Sequence, residues 1–322
     1  MAEDGALGSL LPVDLRERLR MSDLSAPRGT FGERSGQHRS QRPGLGHEFR
    51  DHRPYVPGDD LRRLDWRAAA RQDKLILRQT EAEAELTATV VLDASGGMGY
   101  GEGEKQKWRH ATAVAAAVAL VASQRHDRLR FLIGREQEVD LRGVRRCGVH
   151  ELHLRLAERC AVGTSGRCPW SKLLSHTAET ARKRGVVVVI SDLLDLADAT
   201  DDDSDLALER ALDQLAMLRS QRQRIVLVQV LHPDELNFPW LETKVFRFED
   251  LTRSQVAVEG VGAQLGDSYL KKIRSYLARV EAGAEARQLR LVRIVTDAPL
   301  RDGVLRVFGN TPPAARANTA TP

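Results

Sequence analysis

The chain has 322 residues, 42% of them hydrophobic and 29% charged, which fits a globular protein of about two domains or one large α/β unit. Its 49 basic and 45 acidic residues leave a net charge of +4, too small over this length to mark a dedicated nucleic-acid or membrane-surface protein. Three cysteines (Cys147, Cys160 and Cys168) are odd in number and too few for a disulfide scaffold, which favours a reducing compartment. The longest uncharged apolar run, Ala111 to Ser123, falls short of the roughly 20 residues of a membrane span. The opening residues show neither a basic n-region nor an apolar h-region, so a cytoplasmic protein without a signal peptide is expected.

In chain order, Val13, Leu15 and Leu19 give residues 12 to 22 the spacing of a short amphipathic helix. Residues 27 to 50 are rich in Gly, Arg, Ser and His and read as an extended arm. Pro57-Gly58 signals a turn, and Asp59-Asp60 is placed to cap a helix from about Leu61 to Arg71. From residue 86, short β-branched runs alternate with helical periodicity, the pattern of a mostly parallel sheet with crossover helices. The expected strands are Thr89–Asp93, Arg128–Ile133, Val186–Ser191, Arg224–Leu231 and Leu289–Val295, with lesser strands at Gln137–Leu141 and Lys244–Phe248. The expected helices are Lys105–Gln124, Val149–Cys160, Ser171–Arg184, Ser204–Ser220 and Asp267–Ala286. This divides the chain into an N-terminal arm (1–85), an α/β domain (86–309) and a disordered tail (310–322).

Ligands of open α/β sheets bind where loops leave the carboxyl ends of the strands. Three loops carry suitable residues: Asp93-Ala-Ser95-Gly96-Gly97 after the first strand, Gly163-Thr164-Ser165, and Ser191-Asp192 after the run Val186–Ile190. Carboxylates at two strand ends with hydroxyls nearby suit a hard cation such as magnesium, which prefers oxygen ligands. The arrangement resembles the metal-ion-dependent adhesion site of von Willebrand factor A domains. That resemblance implies a metal held by Asp93, Ser95, Thr164 and Asp192, with a partner's carboxylate completing its shell. The site is degenerate at Gly97, where the pattern has a second serine. Equally open is a structural remnant, in which Asp93 and Asp192 cap turns while Ser95 and Thr164 satisfy backbone groups.

Upstream, Gly44-Leu-Gly46-His-Glu48-Phe49, Arg53-Pro-Tyr55, Pro57-Gly58-Asp59-Asp60-Leu-Arg62, Asp65-Trp66 and Ala70-Arg71 form one long string. It resembles the hallmark of domain-of-unknown-function family 58, whose members carry it just before a von Willebrand A-like domain. Downstream, Leu231–Trp240 and Phe248-Glu249-Asp250 also resemble family features, so the likeness runs from about residue 14 to 309. Many relatives have transmembrane helices ahead of the string, which this chain lacks. The mixed charges around the string favour an ion-pair network that holds the arm on the sheet domain, with a buried Trp66. A partner-docking arm and a nucleic-acid-binding arm are the alternatives.

Other signals are weaker. Gly97, Gly99, Gly101 and Gly103 have the wrong spacing for dinucleotide binding. Cys147, His150, His153, Cys160 and Cys168 contain no paired-cysteine zinc spacing. The acidic stretch from Asp195 to Asp205 lacks the glycine and glutamate of a calcium loop and reads as a solvated loop with a helix cap. The expectation is a von Willebrand A-like (Rossmann-like) fold serving as a non-catalytic interaction or assembly module. Family resemblance implies a MoxR-type AAA+ ATPase and a client protein as partners, with no nucleic acid and no membrane span. The rivals are a magnesium-dependent hydrolase at the same site and an arginine-rich nucleic-acid adaptor.

Overall fold

The β-branched runs and the helical stretches between them become strands and crossover helices in the computed structural model. It describes residues 10–20, 22, 49–57, 64–66, 69–70, 75–80, 87–124, 127–136, 138–144, 158, 161, 163–181, 185–197, 201–220, 223–240, 242–253 and 256–309. Helix α1 spans Val13–Leu19, and strands β1 (Phe49–Pro54) and β2 (Ile76–Thr80) follow. Next come β3 (Thr87–Asp93), α2 (Lys107–Gln124), β4 (Arg128–Arg135), β5 (Glu138–Val144), α3 (Trp170–Thr180) and β6 (Gly185–Ser191). The chain continues through α4 (Asp201–Ser220), β7 (Gln223–Leu231), α5 (Pro233–Asn237), β8 (Val245–Glu249) and β9 (Ala257–Val261). It closes with α6 (Gly262–Ala286), β10 (Arg290–Val295) and α7 (Leu300–Val307).

Two compact units result, residues 29–85 and residues 1–28 with 86–322. In the larger unit, a six-stranded sheet runs in the order β10-β7-β6-β3-β4-β5. Every neighbouring pair is parallel except β4 and β5. Only two residues separate β4 from β5, enough for a hairpin but not for the crossover that a parallel pair requires. Strands β3 and β6 are buried at every position, as central strands covered on both faces must be. Val90, Leu92, Val188 and Ile190 face a core shared with α1, α2 and α7. Val91, Val187 and Val189 face a second core with α3, α4 and α6. The alanine run of α2 is buried on all sides, which its small side chains permit.

Helix α1 departs from the sequence division. Leu11, Leu15 and Leu19 are fully buried in the core of the sheet unit, so this helix belongs there and not to an arm ending at residue 85. In the smaller unit, β1 and β2 form an antiparallel pair, and Leu64 bridges to Leu77. That bridge stands where a helix from Leu61 was expected. Trp66, Ala69 and Ala70 are helical, as expected of that stretch, and the Ala69 N–H donates to the Asp65 carbonyl at 2.9 Å. Leu64, Ile76 and Leu77 are buried, but Trp66, expected inside, is 66% exposed. The arm segment before Phe49, most of the helix expected at Val149–Cys160, and the tail after Gly309 lie outside the described residues. Among the described residues, no helix is long and apolar enough to cross a membrane.

Candidate functional site

Numbered within the sheet, the strand order reads 3-2-1-4-5-6, and its direction reverses between β3 and β6. The loops leaving the carboxyl ends of these two strands therefore flank the crevice in which such sheets bind ligands. Asp93 ends β3, Ser191 ends β6, and Asp192 follows it. Both aspartates are 1% exposed.

Asp93 is held from two sides. Its Oδ1 accepts the Ser95 N–H at 2.8 Å, and its Oδ2 accepts the Ser191 hydroxyl at 2.6 Å. Burial, and then the neighbouring charges of Asp192 and Asp195, push its pKa up to about 7. Asp192 makes a matching turn, its Oδ1 accepting the Leu194 N–H at 2.8 Å. Its backbone carbonyl takes the Gln229 side-chain amide, and Tyr276 donates to the carbonyl of Leu193, whose φ of 64° is left-handed. The Thr164 loop is tied to the Asp93 loop by backbone bonds from Ser165 to Ala94 and from Gly96 to Gly166. The Thr164 hydroxyl abuts Gly99. The three loops singled out in the sequence thus converge, and each of Asp93, Ser95, Thr164 and Asp192 lies in the cluster.

Two further residues at this cluster were not expected at the site, although Glu235 lies in the Leu231–Trp240 segment that resembles family features. Lys107, in the first turn of α2, is fully buried, and its Nζ donates to Asp192 Oδ2 at 2.7 Å and to Glu235 Oε1 at 2.5 Å. A cation at a helix N-terminus opposes the helix dipole, so the two carboxylates must supply what holds it there. Burial alone would lower the Lys107 pKa, but Asp192 and Glu235 outweigh it and the net shift is upward. Glu235 spends its other oxygen on the His232 N–H at 2.8 Å, closing a capping box at the start of α5. The available signals were the pair Lys105-Gln-Lys107 opening an alanine-rich helix and the capping spacing of His232 and Glu235. Neither reports which partner it meets.

Asp195, read in the sequence as part of a solvated acidic loop, is 8% exposed and accepts the Cys168 N–H at 2.8 Å. The Cys168 thiol is buried, and burial followed by the charge of Asp93 raises its pKa. Over the first loop lies a strap formed by Asp250–Arg253, between β8 and β9. The Leu251 carbonyl fills the space beside Gly96, and the Thr252 methyl lies 3.8 Å from where a Cβ on Gly97 would be.

These side chains bear on the magnesium ion that the resemblance implies. The Ser95 hydroxyl is fully buried and has no hydrogen-bond partner among the described residues, as a waiting ligand would be. Against it, Asp192 already carries Lys107, and Gly97 offers no side-chain oxygen. Among the described residues, no three His, Cys, Asp or Glu side chains group as a metal shell. With Lys107 in place, the four residues do not complete a magnesium site.

The family described as "Protein of unknown function DUF58" matches residues 51–274, well over half of the chain. The chain belongs to the DUF58 family. Its sheet gives this DUF58 chain a von Willebrand A-like architecture, doubly wound with one antiparallel edge strand. Solved structures similar to it include BatB from Bacteroides thetaiotaomicron (10% identity, 69% of this chain and 98% of that one, TM-score 0.39). The SpRpn10 VWA domain follows at 9% identity, covering 71% and 98%, with a TM-score of 0.38. The minor pilin PilB from Streptococcus sanguinis has 8% identity over 74% and 63%, with a TM-score of 0.40. No curated protein matches the DUF58 chain.

Proposed function

We propose that the chain is a non-catalytic protein-interaction or assembly module that works in the cytoplasm with a MoxR-type AAA+ ATPase. The ATPase would supply energy, and this chain would recruit or present a client. One observation carries the reading: the ionisable groups that converge at the switch point are bonded to other groups of the same chain. Asp93 serves Ser95 and Ser191, Asp192 serves Leu194 and Lys107, and Glu235 serves Lys107 and His232. A general base must reach a substrate proton, and a nucleophile must face an open pocket. A self-satisfied cluster under a strap instead gives the crevice a fixed shape for another protein to meet. The partner class comes from the family resemblance.

The test is reconstitution of the purified chain with a MoxR-type ATPase from the same genome, in a non-hydrolysable ATP analogue, followed by sedimentation. A nucleotide-dependent complex is expected. Hydrolytic turnover by the purified chain that Asp93→Ala abolishes would replace this reading with the hydrolase.

A second reading keeps the magnesium ion at Asp93, Ser95, Thr164 and Asp192. The buried Ser95 hydroxyl, unpaired among the described residues, favours it. It requires Lys107 to leave Asp192 when the ion enters.

A further inference from the structure

We propose that Lys107 is the resident cation of the switch-point cluster, so that this chain needs no metal ion there. The inference goes beyond the interaction reading and does not depend on it.

Three features of the structure support it independently. The first is position: the ammonium sits between the carboxylates of Asp192, on the loop after β6, and Glu235, on α5 after β7, at 2.7 and 2.5 Å. Each oxygen that meets Lys107 is the one its own loop does not use, since Asp192 Oδ1 and Glu235 Oε2 take backbone N–H groups. The ammonium thus does what a bound cation would do, linking two strand-end segments through the carboxylate oxygens that their own backbones leave over.

The second is residue type. The chain carries 49 basic residues, of which 41 are Arg and 8 are Lys. At a fully buried position meeting two carboxylates, an arginine would bring a planar fork. Lysine brings a compact point charge with three donors, the side chain nearest in shape to an ion. The Tyr100 ring, 6.0 Å from Nζ, adds a π face to the same pocket.

The third is what surrounds the ammonium. Gly97 lacks the hydroxyl that a metal would draw on, and a Cβ there would stand 3.2 Å from Asp192 Oδ2, tight against the oxygen that Lys107 holds. The Asp250–Arg253 strap lies over the same loop, on the Gly96 and Gly97 side.

The experiment uses the full chain. Wild type is melted in EDTA, in millimolar MgCl2 and in millimolar MnCl2, with choline chloride matching the ionic strength, and is titrated calorimetrically with both ions. An ion that binds only the folded state must raise the melting temperature. The expected wild-type result is one melting temperature in all three media and flat titrations. Lys107→Gln leaves two buried carboxylates without their cation, so it should melt lower in EDTA and recover part of the loss, saturably, in MnCl2. If that variant does not fold in EDTA, it is refolded in MnCl2, and recovery supports the proposal. Saturable magnesium or manganese binding by wild type overturns it and favours the second reading above. A Lys107→Gln protein that gains nothing from either ion, whether folded or not, also overturns it. Sedimentation of wild type with the ATPase, its nucleotide supplied with magnesium, tests the interaction reading separately, because calorimetry on this chain alone already decides whether an ion fills the cluster.

Discussion

The carbonyl oxygen of Leu251 occupies the space that a side chain on Gly96 would need. The φ of Gly96 is not left-handed, so the demand for glycine here is one of room and not of backbone conformation. The strap between β8 and β9 can approach the Asp93 loop only because that position has no Cβ. Gly96→Ala should therefore cost about 1–3 kcal/mol, the usual penalty of forcing atoms into a packed place. Gly97→Ser should cost less, because its neighbour at 3.2 Å is a carboxylate that could accept the new hydroxyl. Urea unfolding of both variants checks the order; equal losses would mean that the strap is free to move aside.

Lys107 pairs with both Asp192 and Glu235, so removing it strands two buried carboxylates, whereas removing the Asp192 charge leaves Lys107 with Glu235. Lys107→Met should destabilise the fold by roughly 3–5 kcal/mol, and Asp192→Asn by less, because Glu235 still holds the ammonium. The double variant should lose clearly less than the sum, since the second change removes a charge already uncompensated. Additive losses in a urea-based double-mutant cycle would show that the two groups do not depend on each other.

Leu15 and Trp66 should respond oppositely to what their sizes suggest. Leu15 is fully buried in the sheet unit, so Leu15→Ala should cost about 2–5 kcal/mol. Trp66 is 66% exposed, so Trp66→Ala should change stability by only about 0.5 kcal/mol or less. A chain beginning at residue 86 should accordingly be destabilised through the loss of α1. Thermal melts of the three proteins decide this, and a large loss at Trp66 would place that ring in a core.

His110 should make stability pH-dependent. Its Nε2 lies 3.0 Å from the Glu104 carbonyl, while its Nδ1 is buried without a partner among the described residues. Burial lowers its pKa, the Glu104 carbonyl opposes that shift, and Arg109 adds to it, for a net decrease. The native state thus refuses a proton that the unfolded chain accepts below about pH 6.5. Stability from this group is full above that pH and falls as the pH drops toward the lower native pKa. His110→Gln should flatten this part of the profile, read as the difference in urea midpoint between wild type and variant at stepped pH. Parallel profiles would mean that the imidazole titrates alike in both states.

Much of the fold was legible because its signals are local. The runs at Val186–Ile190 and Arg224–Leu231 are apolar nearly throughout, as only doubly covered strands are, and the helical stripe of Ile273, Leu277 and Val280 recurs every three to four residues. The loops carrying Asp93, Ser95, Thr164 and Asp192 were found because residues at strand ends in such a sheet must gather at one edge. What decided the chemistry of that edge was not local. Lys107 comes from the start of one helix and Glu235 from another, and they meet only when α2 and α5 are set against the sheet. Asp195 looked solvated by composition, yet its loop turns inward to the Cys168 N–H. Trp66 looked like a core residue by type, and Leu64 beside it took the core place instead. Periodicity and strand-end position follow from the chain's own geometry and can be read along it. Which charge faces which, and which glycine lies under another segment's carbonyl, depends on residues far apart in sequence and is fixed only by packing.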